Sequence, residues 1–477
     1  MKQIMKSCFS TYLHWRIRLL RCAGLVRALV WALAPAFGAV NLHGGSTTSP
    51  AGVEQPSASV ATNATVLVET LSLEHAYDRA LATDQNIRIA YEEVRQARLL
   101  PWSALTRLGP RLTGTANYNK PKDNIISPFG PIVTETKSAA ITVEQPLIDL
   151  TVFPSYRYGK LSAHAARLAQ RYTVRNVLFG VTQAYYNTLK QQQIFAVDRQ
   201  ALDLANQQLT LAQQRFDAGV ATRTDVLRAR VSVEQAQRAL TEDEDSLRLA
   251  CNLLSSILNI GPDRPLQLIE PASCATNLPP VETLLATADQ QREDLQVSQL
   301  AIQQSIQQHR QVAAQYAPRV VAQWSNEWIT PETFSQHNDF WTAGVAIQMP
   351  FFEGGQRELD LHRTDYQTRQ ASLETENLGK SIEIQVREAW LRVHTLARTL
   401  ETLRAEVAAD EENYRDLQNE YRAGSATSLD VSTVLTELNT ARTKLATQTE
   451  DYQVALRNLE VVTGVFQQAR VEKLHIP

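Results

Sequence analysis

The chain has 477 residues, enough for several ordinary domains, with 44% hydrophobic residues and a formal net charge of −3. Residues 1–38 hold six basic residues (Lys2, Lys6, Arg16, Arg18, Arg21, Arg27) and no acidic one, which leaves 41 basic against 50 acidic residues, a net of −9, in the rest. That acidic remainder speaks against nucleic acid as a partner, because phosphate binding requires a basic face.

The basic start runs into an apolar stretch over residues 25–36 and the small residues Ala36, Gly38 and Ala39. Together they read as a signal peptide over residues 1–38. The apolar run is too short to cross a bilayer as a helix; a helical membrane anchor is the competing reading. Arg21 directly before Cys22 is unlike a lipidation signal. Cys8 and Cys22 leave with the signal, so Cys251 and Cys274 remain as an even pair in an exported chain. A disulfide between them suits an oxidising compartment, with two buried free thiols as the alternative. Residues 39–69 are rich in Ser, Thr, Pro, Gly and Ala without periodicity and read as a flexible linker.

A helix is expected from about 71 to 107. Residues 111–119 then alternate, with Leu112, Gly114, Ala116 and Tyr118 on one face and Arg111, Thr113, Thr115, Asn117 and Asn119 on the other. Ala139, Ile141 and Val143 continue the pattern against Ser138, Thr142 and Glu144. No proline occurs from Ser155 to Gly261, and the apolar positions Val226, Ala229, Val233, Ala236 and Leu240 step by three and four, as in a coiled coil. The second half repeats the order. A helix is expected over about 281–317. Val320, Ala322, Trp324 and Trp328 then form one strand face, and Trp341, Ala343, Val345, Ile347 and Met349 another. A second proline-free run follows from Phe351 to Ile476. The strands have the length and alternation of membrane-crossing β-strands; an ordinary half-buried antiparallel sheet alternates identically. Four strands cannot close a barrel and an open edge cannot sit in lipid, so a membrane barrel would have to be shared among several chains.

The two halves are copies about 205 residues apart. Arg215-Phe216-Asp217-Ala218-Gly219-Val220-Ala221-Thr222-Arg223-Thr224-Asp225-Val226 recurs as Glu420-Tyr421-Arg422-Ala423-Gly424-Ser425-Ala426-Thr427-Ser428-Leu429-Asp430-Val431. Each copy reads as a tight turn between two long helices, with the glycine supplying left-handed backbone and the threonine an N-cap. No catalytic constellation accompanies them. The histidines never come at metal-ligand spacing, and no phosphate- or dinucleotide-binding loop or nucleophile motif occurs, so neither enzyme activity, metal nor cofactor is expected.

Over about residues 70–466 the chain resembles the TolC-like outer-membrane efflux proteins. The resemblance rests on the duplicated turns, the strand exits Glu144-Gln145-Pro146-Leu147 and Gln348-Met349-Pro350-Phe351, the segment Glu353-Gly354-Gly355-Gln356-Arg357, and the recurrence of Ala184-Tyr185 as Ala389-Trp390. It implies a mainly α protein with a membrane β-barrel: long coiled-coil hairpins plus two β-hairpins per protomer, in a homotrimer with a twelve-stranded barrel in outer-membrane lipid and a periplasmic helical tunnel. The first repeat would span 70–270, the second 271–466, with a tail over 467–477. The implied function is a passive exit duct that docks on a periplasmic adaptor and, through it, an inner-membrane pump. An elongated coiled-coil structural or adaptor protein of the envelope is the alternative.

The resemblance also implies site residues. Gly219, Val220, Ala221 and Thr222, with Gly424, Ser425, Ala426 and Thr427, would form adaptor-docking tips. Tyr421 would hydrogen-bond Asp225, beside Thr224, to latch the tip. Ala426 stands where the family carries an arginine, and Arg223 is a candidate substitute. Asp430 would ring a cation-attracting constriction in three copies, weakened by Thr433 where the family often has a second aspartate.

Overall fold

A computed structural model describes residues 69–120, 125–127, 130–132, 135–261, 266–271, 278–330 and 338–473, all within one compact unit. The expected signal peptide and all but the last residue of the expected linker lie outside the described residues, as does Cys274. In chain order the elements are β1 (Glu69–Leu71), α1 (Leu73–Thr83), α2 (Gln85–Thr106), β2 (Arg111–Asn119), β3 (Ile125–Ser127), β4 (Gly130–Ile132), β5 (Thr136–Ile148), α3 (Val152–Asp217), α4 (Arg223–Ile257), β6 (Leu266–Leu268), α5 (Val281–Gln291), α6 (Glu293–Ala314), β7 (Arg319–Thr330), β8 (Asp339–Gln348), α7 (Gln356–Ala423), α8 (Ser428–Val462) and α9 (Gln468–Lys473).

The halves repeat as expected, with three refinements. The first expected helix is two helices, because Asp84 leaves the helical region (φ −65°, ψ 132°) and its carboxylate accepts from Asn86 and Ile87 N–H to cap α2. Its counterpart also leaves the helical region at Arg292 (φ −69°, ψ 117°), without a side-chain cap. Glu69, assigned to the linker, instead opens β1, which pairs in parallel with β6. The C-terminal segment is not a plain tail. It carries α9, where Val471 is buried and Arg470 pairs with Glu74 and Asp78 of α1.

The two expected strand pairs form one antiparallel sheet in the order β2-β5-β7-β8. Register carries the alternation across it: Leu112 lies opposite Val143, Val143 opposite Trp324 and Trp324 opposite Ala343. Thr113, Thr142 and Ser325 line up on the reverse face, where Ser325 Oγ lies 2.7 Å from Thr342 Oγ1. The outer edges of β2 and β8 pair with no strand among the described residues. A second hairpin, β3–β4, stands apart from this sheet.

Helices α3 and α7 have 66 and 68 residues, about 100 Å each at a rise of 1.5 Å per residue. Each runs straight from the sheet to a tight turn and returns in a 35-residue helix, α4 or α8. At its sheet end α3 packs closely on α2. A Cβ on Gly159 would lie 2.6 Å from the nitrogen of Pro101, a backbone atom that cannot move aside.

A core cluster lies where the return helices end. Tyr77, Leu178, Val181, Tyr185, Leu254, Leu258 and Phe466 are among its most deeply buried members. Phe466 meets Tyr77 and Phe179 edge-on with centroids 6.2 Å apart. The hydroxyl of Tyr77 lies 2.8 Å from Thr182 Oγ1, and that of Tyr185 is 2.9 Å from the Leu71 carbonyl. Beside the cluster, buried Arg175 of α3 donates to Glu293 of α6 through Nε (3.2 Å) and Nη2 (2.5 Å), and to the carbonyl of Phe466. Arg292 holds Asp294 through two nitrogens (2.9 and 2.6 Å), and also Gln385 and the Val462 carbonyl. The Arg175 bonds tie the first repeat to the second, and those of Arg292 tie the start of α6 to α7 and α8 within the second.

Further along the hairpins, two carboxyl groups are withdrawn from solvent. Asp198 of α3 is pushed up to about 7, first by burial and then by the hydrogen bond and charge of Asp243 on α4. Glu450 of α8 is also pushed up to about 7, chiefly by burial and then by Glu270; its hydrogen bond from Gln193 (2.8 Å) acts the other way.

Two predictions follow from this packing. Arg175→Met leaves Glu293 buried without a counter-charge and is expected to cost about 3–5 kcal/mol in denaturant unfolding, with most of it regained in Arg175→Met/Glu293→Leu. Asp198 and Glu450 hold their protons in the folded state where the unfolded chain has lost them. Their contribution is therefore full below the unfolded values (3.8 and 4.5) and is lost as pH rises toward 7. Melting temperature should fall between pH 5 and pH 8, and the fall should shrink in Asp198→Asn/Glu450→Gln; an unchanged slope would contradict the assignment.

Candidate functional site

The two helix turns have the same construction at positions 205 apart. Gly219 (φ +77°) and Gly424 (φ +89°) take the left-handed conformation that ends α3 and α7. The N–H groups of Gly219 and Val220 bond back to Phe216 (2.9 Å) and Arg215 (2.9 Å), and those of Gly424 and Ser425 to Tyr421 (3.1 Å) and Glu420 (3.0 Å). The last carbonyls of each long helix are thereby satisfied. Thr222 and Thr427 then start the return helices. Each accepts from the backbone N–H of an aspartate three residues on, Asp225 at 3.3 Å and Asp430 at 3.4 Å. Each aspartate carboxylate accepts the threonine N–H in return, at 3.0 and 2.9 Å. The hydroxyl hydrogens of both threonines also point to these carboxylates, at 2.7 Å.

Above this shared scaffold the copies diverge. Ser428 donates to Asp225 Oδ1 at 2.7 Å, joining the start of α8 to the start of α4. That bond, ahead of the two from Thr222, holds the Asp225 carboxyl below its ordinary range. Arg215, in the last turn of α3, donates to the carbonyls of Tyr421 and Arg422 (the latter at 3.2 Å), and its guanidinium carbon lies 4.6 Å from the centre of the Tyr421 ring. A third tie joins Ser232 and Ser432, whose Oγ atoms are 3.2 Å apart. Tyr421 is only 3% exposed, whereas its counterpart Phe216 is 40% exposed. Tyr421 packs with Tyr414, Val431, Val434, Leu435 and Leu438, and Leu204 and Leu211 of α3 close this cluster.

The expected hydrogen bond from Tyr421 to Asp225 is not formed. The Tyr421 hydroxyl is buried with no hydrogen-bond partner among the described residues. Both Asp225 oxygens are taken, Oδ2 by the Thr222 cap and Oδ1 by Ser428. Burial pushes the Tyr421 phenol up, against the opposing pull of the Arg215 charge and with a smaller push from Asp225. Arg223 and Thr224 are exposed, and no hydrogen bond at the turns uses their side chains. Asp430 is exposed, and the Thr427 hydroxyl is the first cause that holds its carboxyl low. Val220 is exposed at the first turn, and Ser425 donates to the Glu420 carbonyl at 3.1 Å in the second. Cys251 is a half-buried free thiol pushed up by burial, and Cys274 lies outside the described residues.

Sequence reasoning missed Arg215 and Ser428. The signal for them lies in the repeat itself: they are positions where the copies differ in charge, Arg215 against Glu420 and Arg223 against Ser428. Contacts between hairpins need a residue on one side only, so they fall where the duplication is broken.

A family described as outer membrane efflux protein matches residues 57–259 and 284–465. The outer membrane efflux protein BepC of Brucella suis is 24% identical over 420 residues, covering 86% of this chain and 88% of that protein. The alkaline protease secretion protein AprF of Pseudomonas aeruginosa is 25% identical over 434 residues, covering 84% and 86%. In fold, the outer membrane protein VceC of Vibrio cholerae aligns with a TM-score of 0.69 at 19% identity, over 82% of this chain and 96% of that one. The matched segments contain both sheet halves, both hairpins and both turns. The chain belongs to the outer membrane efflux protein family.

Proposed function

We infer that the chain is one protomer of a trimeric outer-membrane exit duct, a passive channel and not an enzyme, in an efflux or secretion system. The observation that carries this reading is the four-stranded sheet with two unpaired edges, β2 and β8. One face of it bears Leu112, Ile141, Trp324, Trp341, Val345 and Ile347, all exposed in the single chain. Unpaired backbone cannot rest in hydrocarbon, so each β8 requires a β2 from a neighbour. Three copies of four strands give a barrel of twelve, within the range of outer-membrane barrels.

The helices support the same assembly. Leu359, Tyr366 and Leu373 recur every seven residues on α7 and are exposed, followed by Ile384 and Leu391. Leu249 and Leu253 are bare on α4. A heptad stripe without a partner in its own chain suits packing against a second copy. The helices would then enclose a periplasmic tunnel. The turns at Gly219–Thr222 and Gly424–Thr427 would form its far end, where a periplasmic adaptor docks and couples the duct to an inner-membrane pump. Three Asp430 carboxylates around the axis would attract cations, opposed as a cluster by their mutual repulsion. BepC is named for efflux and AprF for protease secretion, as befits a duct whose cargo is chosen by its pump.

Extracted from outer membranes, the protein is expected to run as a heat-dissociable trimer; a soluble monomeric rod would overturn the reading. Val345→Arg, on the apolar face, is expected to cost about 2–4 kcal/mol if it lies near the bilayer midplane and to deplete the membrane fraction. Thr342→Arg, on the reverse face, should leave trimer yield intact. Asp430→Asn and Asp430→Ala should both lower cation selectivity in planar bilayers. Only Asp430→Ala should also destabilise the turn, by about 1 kcal/mol, since asparagine can still accept the Thr427 N–H. Equal selectivity in all three proteins would remove Asp430 from the constriction.

A further inference from the structure

The seam between the two hairpins of one protomer has few polar fastenings near the turns, and Arg215 makes the most connected of them. Its guanidinium meets the carbonyls of Tyr421 and Arg422 at the last turn of α7 and covers the Tyr421 ring at 4.6 Å. A cation there faces the negative end of the dipole of a 68-residue helix. The Gly424 turn is pressed against the same group, since a Cβ on Gly424 would lie 3.6 Å from Arg215 Nη2. Ser428 to Asp225 and Ser232 to Ser432 fasten the same seam between α4 and α8. The tyrosine hydroxyl takes no part. The counterpart of Arg215 in the second repeat is Glu420, of opposite charge, so the protomer carries this fastening once.

We propose that Arg215 is a gate-positioning residue, holding the second hairpin's turn against the first and so resisting the parting of the hairpins that widens the tunnel end. The proposal rests on the exit-duct reading above. Arg215 acts through the carbonyls of α7 and the face of Tyr421, with Ser428–Asp225 as a second, weaker fastening. Sliding or swinging of α7 and α8 away from α3 and α4 breaks these contacts together, because their residues all lie within six positions of the two turn glycines. Lysine keeps the charge but loses the planar stacking and the fork of donors, so it should hold the seam only partly.

The test is single-channel conductance of the full-length protein, purified from outer membranes and inserted in planar bilayers. Wild type, Arg215→Met, Arg215→Lys, Ser428→Ala and Tyr421→Phe would be compared, with trimer melting measured alongside. Arg215→Met is expected to raise the fraction of time spent in the wide state about tenfold, equivalent to ~1.4 kcal/mol. Arg215→Lys and Ser428→Ala should fall between it and wild type, and Tyr421→Phe should match wild type. In Arg215→Met/Ser232→Cys/Ser432→Cys, oxidation should return conductance to the narrow level and reduction should release it. Trimers that conduct as wild type despite Arg215→Met overturn the proposal, whether or not their melting temperature falls. A larger effect from Tyr421→Phe than from Arg215→Met also overturns it, in favour of a hydroxyl latch. If wild type itself forms no channel, the exit-duct reading fails instead.

Discussion

Backbone hydrogen bonding in the four-stranded sheet governs much of the rest. Among the described residues, β5 and β7 are paired on both sides, while β2 and β8 each have one open edge. In water such edges are tolerable; in hydrocarbon each bare N–H and C=O costs several kcal/mol. In the proposed duct these edges are closed by copies of the same chain. The β5–β7 pairing is also the place where the two sequence halves become one sheet, with Val143 set against Trp324. Because β5 ends at Ile148 and α3 begins at Val152, the register of the sheet fixes where the first long helix starts. The same holds for α6, which ends at Ala314 just before β7 begins at Arg319.

The helical part solves a different problem. Helices of about 100 Å have no globular core to bury them, so they pack on each other, with small residues such as Ala205, Ala212, Ala229 and Ala441 buried in the seams. Such long seams resist shear weakly, and two devices locate the hairpins. Near the ends of the return helices, Arg175 and Arg292 cross-link α3, α6, α7 and the segment after α8 through buried, fully paired guanidinium groups. At the turns, Arg215, Ser428 and Asp225 do so with fewer and more exposed contacts. The hairpins are thus fastened more heavily at one end than at the other, which suits the proposed opening at the turns.

The duplication explains why the two turns share one construction and differ where the hairpins meet. Closing a helical hairpin is local chemistry: a left-handed glycine, two backbone bonds to the preceding turn, and a threonine–aspartate box. Both copies must satisfy it, and both do, with distances agreeing within about 0.2 Å. Fastening one hairpin to the other is not local. It requires a donor on one side and an acceptor on the other, so identical copies are a poor starting point. Arg215 facing the end of α7, buried Tyr421 against exposed Phe216, and Ser428 in place of Arg223 mark where the copies specialised.

Much of this was legible in the sequence because it depends on short-range periodicity. The strand faces, the long proline-free helices, both turns and both threonine caps follow from alternation, heptads and the spacing of Gly, Thr and Asp, all of which act within a few residues. The unpaired edges followed too, since four strands are too few to close. The breaks at Asp84 and Arg292 were missed because one residue with extended backbone in an otherwise helical stretch has little effect on periodicity. The β1–β6 pair was missed because its strands are three residues long and almost 200 apart. The partners of Asp225 and Tyr421 were decided only by tertiary structure. Sequence spacing placed both residues near the turn, but which atoms meet depends on the rotation of α8 against α4. That rotation brings Ser428 to the carboxylate and leaves the phenol enclosed beneath Arg215.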